Sequence, residues 1–188
     1  DGNEGGAPKM GEAINSILEN NGIRSSIVNL SDVIEFSFLN SLSNNCDSYE
    51  SKVDLVYKFL ENQKEIVDIV IVNSSRAGYS VTAAKRMGLI VYLYLHEGPE
   101  QLFLEMNERN IQYMDLVNAD YILNASRLSI NYLLSIDVEE KLNKKLFLLE
   151  PFSNFDLNER NNKNYLENSL EANFKKKFKK IVGACGTC

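Results

Sequence analysis

The stretch from residue 67 to residue 97, VDIVIVNSSRAGYSVTAAKRMGLIVYLYLHE, decides the fold. Two near-continuous apolar runs, residues 67–73 and 89–95, are typical of parallel strands that are covered on both faces. Between them, residues 80–87 predict a short helix, and Gly88 stands where such a helix ends. A strand, a crossover helix and a second strand make one β-α-β unit, so this stretch predicts a parallel sheet.

The same alternation of helix-like and strand-like segments continues on both sides of this unit. It predicts an α/β fold, a Rossmann-like three-layer domain with a mainly parallel sheet. The helices are expected at residues 8–21, 31–42, 49–63, 99–118, 128–134 and 165–179, and the other strands at residues 26–30, 119–124, 146–152 and 180–184.

Composition narrows the class of protein. The chain has 188 residues, of which 44% are hydrophobic, enough for one domain with a substantial core. Its formal net charge of -6 argues against a nucleic acid as the main partner, although lysines cluster at residues 175–180. No apolar run approaches the roughly 20 residues that a membrane-spanning helix needs. The 3 cysteines, an odd number, form no disulfide framework, so we expect an intracellular protein.

Adjacent glycines, Gly5 and Gly6, open the first predicted helix. Glycines let the backbone approach a ligand closely, and a helix N-terminus offers free N–H groups and the positive end of the helix dipole. Pro8 suits the first turn of a helix. The motif predicts a site for a diphosphate or another anion, and an ordinary glycine-rich turn explains it equally well.

The dipeptide His96-Glu97 directly follows a buried strand. Ligands of open α/β sheets bind at the carboxyl ends of the strands. His96 can donate a hydrogen bond to a sugar hydroxyl or a phosphate, and the neighbouring Glu97 can tune its pKa. The alternative is a histidine satisfied by a backbone carbonyl, but the position favours a ligand site.

Polar residues also follow the other strand of the unit, at the same expected edge. Arg76 can pair with a carboxylate or a phosphate, and the side chains of Asn73 and Ser74 can bind a sugar. A solvated loop in which Ser75 or Ser80 caps the next helix explains this segment equally well.

Other motifs carry less chemistry. After the strand at residues 119–124, Ser126 is expected to cap a helix, and that structural role alone is sufficient. No nucleophile elbow, Walker loop or dinucleotide fingerprint is present. Cys185 and Cys188 form a Cys-x-x-Cys without a second ligand pair, so no metal site is predicted.

Taken together, these segments resemble the N-terminal domain of family 4 glycosyltransferases, which have the GT-B fold of two facing Rossmann-like domains. The likeness covers nearly the whole chain, although LEPFSN departs from the Pro-Asn-Gly usual at that strand end. The matching pieces, in the family's order, are GGAP at residues 5–8, VDIVIVNS at 67–74, AAKRMGLIVYLYLHE at 83–97, ADYILNAS at 119–126, KLFLLEPF at 145–152 and KIVGACGT at 180–187.

The resemblance implies a retaining transfer of a sugar from a nucleotide-sugar donor to a glycan or lipid-linked acceptor, without a further cofactor. It implies that His96 contacts the donor sugar near the reacting centre, with Glu97 beside it. It also implies that Gly5 and Gly6 help to hold the donor diphosphate. The setting it implies is cytoplasmic, with peripheral contact at the inner face of the membrane.

The resemblance further implies a division of the chain. Residues 1–157 are expected to form the acceptor-side domain, and residues 158–188 a linker helix with the first strand of a second domain or a return element. Because the donor-binding C-terminal domain is not in this sequence, the chain alone is expected to be inactive.

Two alternatives stay open. A non-catalytic α/β domain would use the same strand-end cleft to bind a small ligand or a protein. A reductase would use Cys185 and Cys188 and would require reversible disulfide formation between them.

Overall fold

A computed structural model describes residues 6–29, 32–33, 48–63, 67–149 and 181–185. Within these ranges helices and strands alternate, as the sequence predicts. The helices are α1 (Gly6–Asn20), α2 (Tyr49–Glu61), α3 (Tyr79–Arg86), α4 (Pro99–Asn107), α5 (Tyr113–Asn118) and α6 (Arg127–Ile136), with a short 3-10 helix at Ser75–Ala77. The strands are β1 (Ser25–Asn29), β2 (Ile69–Val72), β3 (Ile90–Leu95), β4 (Tyr121–Asn124), β5 (Leu146–Leu148) and β6 (Ile181–Cys185).

The strands form one sheet in the order β1-β6-β2-β3-β4-β5. Every strand pair in it is parallel. The expected α/β fold with a parallel sheet is therefore confirmed, and it is consistent with a Rossmann-like layered domain. The register aligns Val72 with Leu93, and Leu95 with Asn124, so neighbouring strands end close to one another.

The strand β6 occupies an interior position of the sheet. It pairs with β1 through Val28 and Ala184, and with β2 through Val72 and the same Ala184. Residues 181–185 thus belong to the same sheet as the preceding strands. The predicted boundary between residues 157 and 158 lies outside the described residues, as do the predicted helices at residues 165–179 and, apart from residues 32–33, at residues 31–42.

The sheet is covered by helices on both faces. Alternate residues of the strands, such as Val70, Leu93 and Ile122, join buried residues of the helices α2 to α6 in one core. On the opposite face, α1 contacts β1 and β6. This face continues over the neighbouring strands as an aromatic row, in which the rings of Tyr92 and Tyr121 stack with centroids 4.6 Å apart. Phe147 extends the row, with its ring centroid 6.0 Å from that of Tyr121.

The expectation of one continuous helix over residues 99–118 is wrong, because the chain breaks it into α4 and α5. Arg109 takes the left-handed conformation with φ 57°, which ends a helix. Gln112 then starts α5, and its backbone N–H donates to Oδ2 of Asp115 at 2.7 Å, so the new helix has its own cap.

The break packs against the loop that leads into α3. A Cβ added at Gly78 would lie 2.4 Å from Cβ of Ile111. The N–H of Tyr79 donates to the carbonyl of Asn110 at 3.1 Å. The loop after β2 is therefore held against the turn between α4 and α5, and only glycine fits at residue 78.

A buried carboxylate links three helices. Oδ1 of Asp115 accepts hydrogen bonds from the hydroxyl of Tyr49 at 2.5 Å and from that of Thr82 at 2.6 Å. Burial raises the pKa of Asp115, and these hydrogen bonds act in the opposite direction. Because Tyr49 belongs to α2, Thr82 to α3 and Asp115 to α5, the cluster fixes these helices to one another.

Candidate functional site

Polar residues follow three neighbouring strands at one edge of the sheet. Asn73 follows β2, His96 and Glu97 follow β3, and Asn124 closes β4. Since the strands are parallel, their carboxyl ends meet at this edge, which is where ligands of open α/β sheets bind. We call this group the strand-end cluster.

Asn73 and His96 are in direct contact within the cluster. Oδ1 of Asn73 lies 2.6 Å from Nε2 of His96, and the Asn73 side chain is buried. The ring of Tyr94 lies against the imidazole, with centroids 4.0 Å apart. The position of the imidazole is therefore set from two sides, by the strand β2 and by its own strand β3.

Glu97 connects the loops after β2 and β3 and the helix α6. Its Oε1 accepts hydrogen bonds from the hydroxyl of Ser74 at 2.7 Å and from the N–H of Ser75 at 3.0 Å. Its backbone carbonyl accepts a hydrogen bond from the hydroxyl of Ser129 at 2.8 Å. One carboxylate oxygen of Glu97 is therefore bound by groups of the neighbouring loop.

Within the part of the chain that the structure describes, four buried polar atoms near this edge have no hydrogen-bond partner. A buried polar group without a partner costs about 1–3 kcal/mol, so such atoms are normally satisfied by water or by a ligand. Their occurrence along the same loops and strand ends marks the cluster as a polar region rather than an ordinary core. They are Ser75 Oγ, Tyr94 OH, Glu97 Oε2 and Asn124 Nδ2.

Burial determines the protonation state of His96. It lowers the pKa of the imidazole below the ordinary 6.5, while the charge of Glu97 and a backbone contact of Asn73 act in the opposite direction. The neutral form of His96 is therefore the main form at neutral pH. Burial also raises the pKa of the Tyr94 phenol, which keeps its proton.

The helix α1 lies on the same face of the sheet as the Asn73–His96 pair. A small apolar cavity of about 20 Å³ lies between α1 and the sheet, and Gly11 of α1, Ile71 and Asn73 all line it. The volume has room for about one water molecule. Gly6 is the first residue of α1, whereas Gly5 lies outside the described residues.

Arg76 is paired inside the chain. Its Nε lies 2.9 Å from Oε1 of Glu105, which is 1% exposed, whereas the Arg76 side chain is 43% exposed. Burial raises the pKa of Glu105, but hydrogen bonds from Asn110, Arg76 and Gln101 outweigh it, so the pKa lies below its ordinary value. The guanidinium thus has a structural partner in α4, in addition to any ligand it could bind.

The alternative of a solvated, capped loop at residues 73–80 is wrong. Asn73, Ser74 and Ser75 are buried. The hydroxyl of Ser74, not that of Ser75 or Ser80, caps the 3-10 helix by accepting a hydrogen bond from the N–H of Arg76 at 3.2 Å. The predicted cap at Ser126 is confirmed, since its hydroxyl accepts from the N–H of Leu128 at 3.1 Å.

Three further polar residues at this edge are not among the residues predicted to bind a ligand: Tyr94, Asn124 and Ser129. Tyr94 reads as one more apolar residue of a strand, and Ser129 as one more residue of a helix. Asn124 is a polar residue at the end of an apolar run, and the same pattern predicts Asn73 as a binding residue.

Neither a metal-ligand cluster nor a membrane-spanning helix is found in the described ranges. There, no three histidine, cysteine or carboxylate side chains lie together as a metal site would require. In those same ranges no helix combines the length and the apolar character that crossing a bilayer takes. Cys185 ends β6, and Cys188 lies outside the described residues.

Comparison of the chain with models of protein families, with curated proteins and with solved structures found no match.

Proposed function

We propose that this chain is the acceptor-side, N-terminal domain of a GT-B glycosyltransferase. In this proposal it takes part in a retaining transfer of a sugar from a nucleotide-sugar donor to a glycan or lipid-linked acceptor. The observation that carries the proposal is the Asn73–His96 contact, 2.6 Å long, at the carboxyl edge of a parallel sheet and on the face that α1 covers. The order of the matching sequence segments supports it.

The direction of α1 agrees with a role in binding an anion. A short connection at residues 21–24 joins α1 to β1, so the helix runs back along the sheet and its first residue, Gly6, lies toward the carboxyl edge. A helix N-terminus at that edge attracts the phosphates of a nucleotide sugar. Under this proposal Gly5 and Gly6 hold the diphosphate, and His96 faces the sugar.

The other predicted site residues, Glu97, Ser74 and Arg76, have less direct roles under the proposal. Glu97 and Ser74 are bonded to each other at 2.7 Å, so they shape the edge on which the sugar lies. Arg76 is paired with Glu105 through Nε, and its side chain is 43% exposed at this edge. The nucleotide is held mainly by a second domain, which the proposal expects in the full gene product.

The test is donor cleavage by the full natural gene product. We would measure nucleoside diphosphate release from a panel of UDP-, GDP-, ADP- and dTDP-sugars, with membranes added as a source of acceptor. At least one donor is expected to be cleaved, and His96→Ala is expected to lower kcat by about 100-fold, the usual effect of losing one polar group that contacts the reacting centre. Val138→Ala is the control, because Val138 is 90% exposed and follows α6 at the opposite end from the cluster.

Two results would contradict the proposal. Release from none of the donors would overturn glycosyl transfer and leave the non-catalytic binding domain as the interpretation. An unchanged kcat in a folded His96→Ala protein would overturn the role of His96.

A further inference from the structure

The side chain of Asn73 constrains which nitrogen of His96 carries the proton. Asn73 is 2% exposed, and its Oδ1 lies 2.6 Å from Nε2 of His96. An amide oxygen accepts hydrogen bonds but cannot donate them. Nε2 must therefore be the N–H donor of this contact.

The second nitrogen of the ring is left with its lone pair. A neutral imidazole has one N–H, so a proton on Nε2 makes Nδ1 an acceptor. The Asn73 side-chain contact is made at Nε2, so Nδ1 is the nitrogen that keeps the lone pair. Two groups lie near the ring. The carboxylate of Glu97 accepts from Ser74 and Ser75 through Oε1, its Oε2 has no partner among the described residues, and Tyr94 meets the imidazole through its ring.

We propose that Asn73 is a positioning residue that holds His96 as the Nε2–H tautomer and thereby presents Nδ1 to a ligand as a hydrogen-bond acceptor. The tautomer follows from the contact alone. The identity of the ligand group rests on the function proposed above.

The tautomer selects the chemistry of the group that faces Nδ1. A lone pair attracts a donor such as a sugar hydroxyl or an amide N–H, and it repels a phosphate oxygen or a carboxylate. His96 therefore accepts from a hydroxyl rather than donating to a phosphate. This assignment separates the sugar, which contacts His96, from the diphosphate, which belongs at the α1 N-terminus.

The tautomer is directly measurable, because the chain contains 1 histidine. Long-range 1H–15N correlation spectra of the uniformly 15N-labelled chain show one imidazole, and the two nitrogens differ in shift according to which one is protonated. At a pH above the His96 pKa we expect protonated Nε2 and unprotonated Nδ1. Protonated Nδ1 in the wild-type spectrum would overturn the proposal without any variant.

The role of Asn73 is tested by three variants of the same chain. Asn73→Ala removes the acceptor, and we expect the preference for the Nε2–H tautomer to fall by about tenfold, the effect of one hydrogen bond. Asn73→Asp keeps an acceptor oxygen, so it should retain the tautomer and raise the His96 pKa. Asn15→Ala is the matched control, because Oδ1 of Asn15 accepts from Ser25 at 2.8 Å and does not contact His96.

The outcomes separate this proposal from the glycosyltransferase proposal. An unchanged tautomer preference in a folded Asn73→Ala chain would overturn the positioning role, whatever the enzyme does. If Asn73→Ala fails to fold, the wild-type spectrum and the Asn73→Asp titration still decide. Failure of donor cleavage with the expected tautomer intact would overturn only the glycosyltransferase proposal.

Discussion

The carboxylate of Glu97 lies 2.7 Å from the hydroxyl of Ser74 and joins the loop after β3 to the loop after β2. The same oxygen also accepts from the N–H of Ser75. Two adjacent strand ends are thus tied together at the edge that carries His96.

Glu97→Ala is expected to destabilise the fold. It leaves two donors at Ser74 and Ser75 without their acceptor, at a cost of about 1–3 kcal/mol. Urea unfolding followed by circular dichroism measures the change. Glu139→Ala is the matched control, since Glu139 pairs with Lys141 on the surface and its loss should cost less than about 0.5 kcal/mol. Equal losses of unfolding free energy in the two variants would show that the hydrogen bonds of Glu97 to Ser74 and Ser75 do not stabilise the fold.

The pKa of His96 should be measurably below 6.5 in the folded chain, because burial disfavours the charged imidazole. Between the folded and the unfolded pKa of His96, the unfolded state binds a proton that the folded state does not bind. Stability from this group is present above the unfolded pKa of 6.5 and falls as the pH drops toward the folded pKa. NMR titration of the single imidazole gives the value directly.

The same titration tests the effect of the Glu97 charge on the His96 pKa. Its negative charge raises the His96 pKa, so Glu97→Gln should lower that pKa further. A folded-state pKa at or above 6.5 in the wild type would contradict the role of burial. A rise in Glu97→Gln would contradict the role of the charge.

Gly78→Ala should destabilise the chain by about 1–3 kcal/mol, the usual cost of overpacking. The new Cβ would lie 2.4 Å from Cβ and 2.8 Å from Cα of Ile111, so no side-chain rotation relieves the clash. Gly98→Ala is the control, since its Cβ would meet nothing nearer than Glu100 Oε2 at 3.5 Å. Thermal melts compare the two, and similar melting temperatures would contradict the close approach at Gly78.

Tyr49→Phe should cost about 1–2 kcal/mol, because Asp115 loses one of its hydrogen-bond donors in a buried site. The pKa of Asp115, already raised by burial, should rise further. The loss should therefore be larger at neutral pH, where the carboxylate is charged, than near pH 3.8, where it is protonated. Tyr57→Phe on the same helix is the control, since its hydroxyl meets Glu61 in an exposed contact of 3.5 Å. Urea unfolding at both pH values checks the difference.

The sheet could be predicted from the sequence because strands that are covered on both faces have near-continuous apolar runs. The runs that end near Val72 and Leu95 have this pattern. The break between α4 and α5 could not be predicted from the sequence. It rests on Arg109 in a left-handed conformation and on Gln112 as a cap, and neither residue type signals such a role.

The candidate site was predictable at the level of strand ends. Parallel topology alone brings the residues after β2 and β3 to one edge. The pairing of Asn73 with His96, and of Ser74 with Glu97, depends on side-chain rotamers that a sequence does not specify. The pairing of Arg76 with Glu105 depends on how α4 packs against the loop after β2, which the sequence does not specify.

The interior place of β6 has a consequence for synthesis. Residues 25–29 and 69–72 leave the ribosome long before residues 181–185, yet β1 and β2 meet only through β6. The nascent chain therefore carries two strand edges that lack their shared neighbour, and such edges invite pairing with other chains. Completion of the sheet therefore depends on contacts between residues far apart in sequence, and contacts of that kind generally form more slowly than local ones.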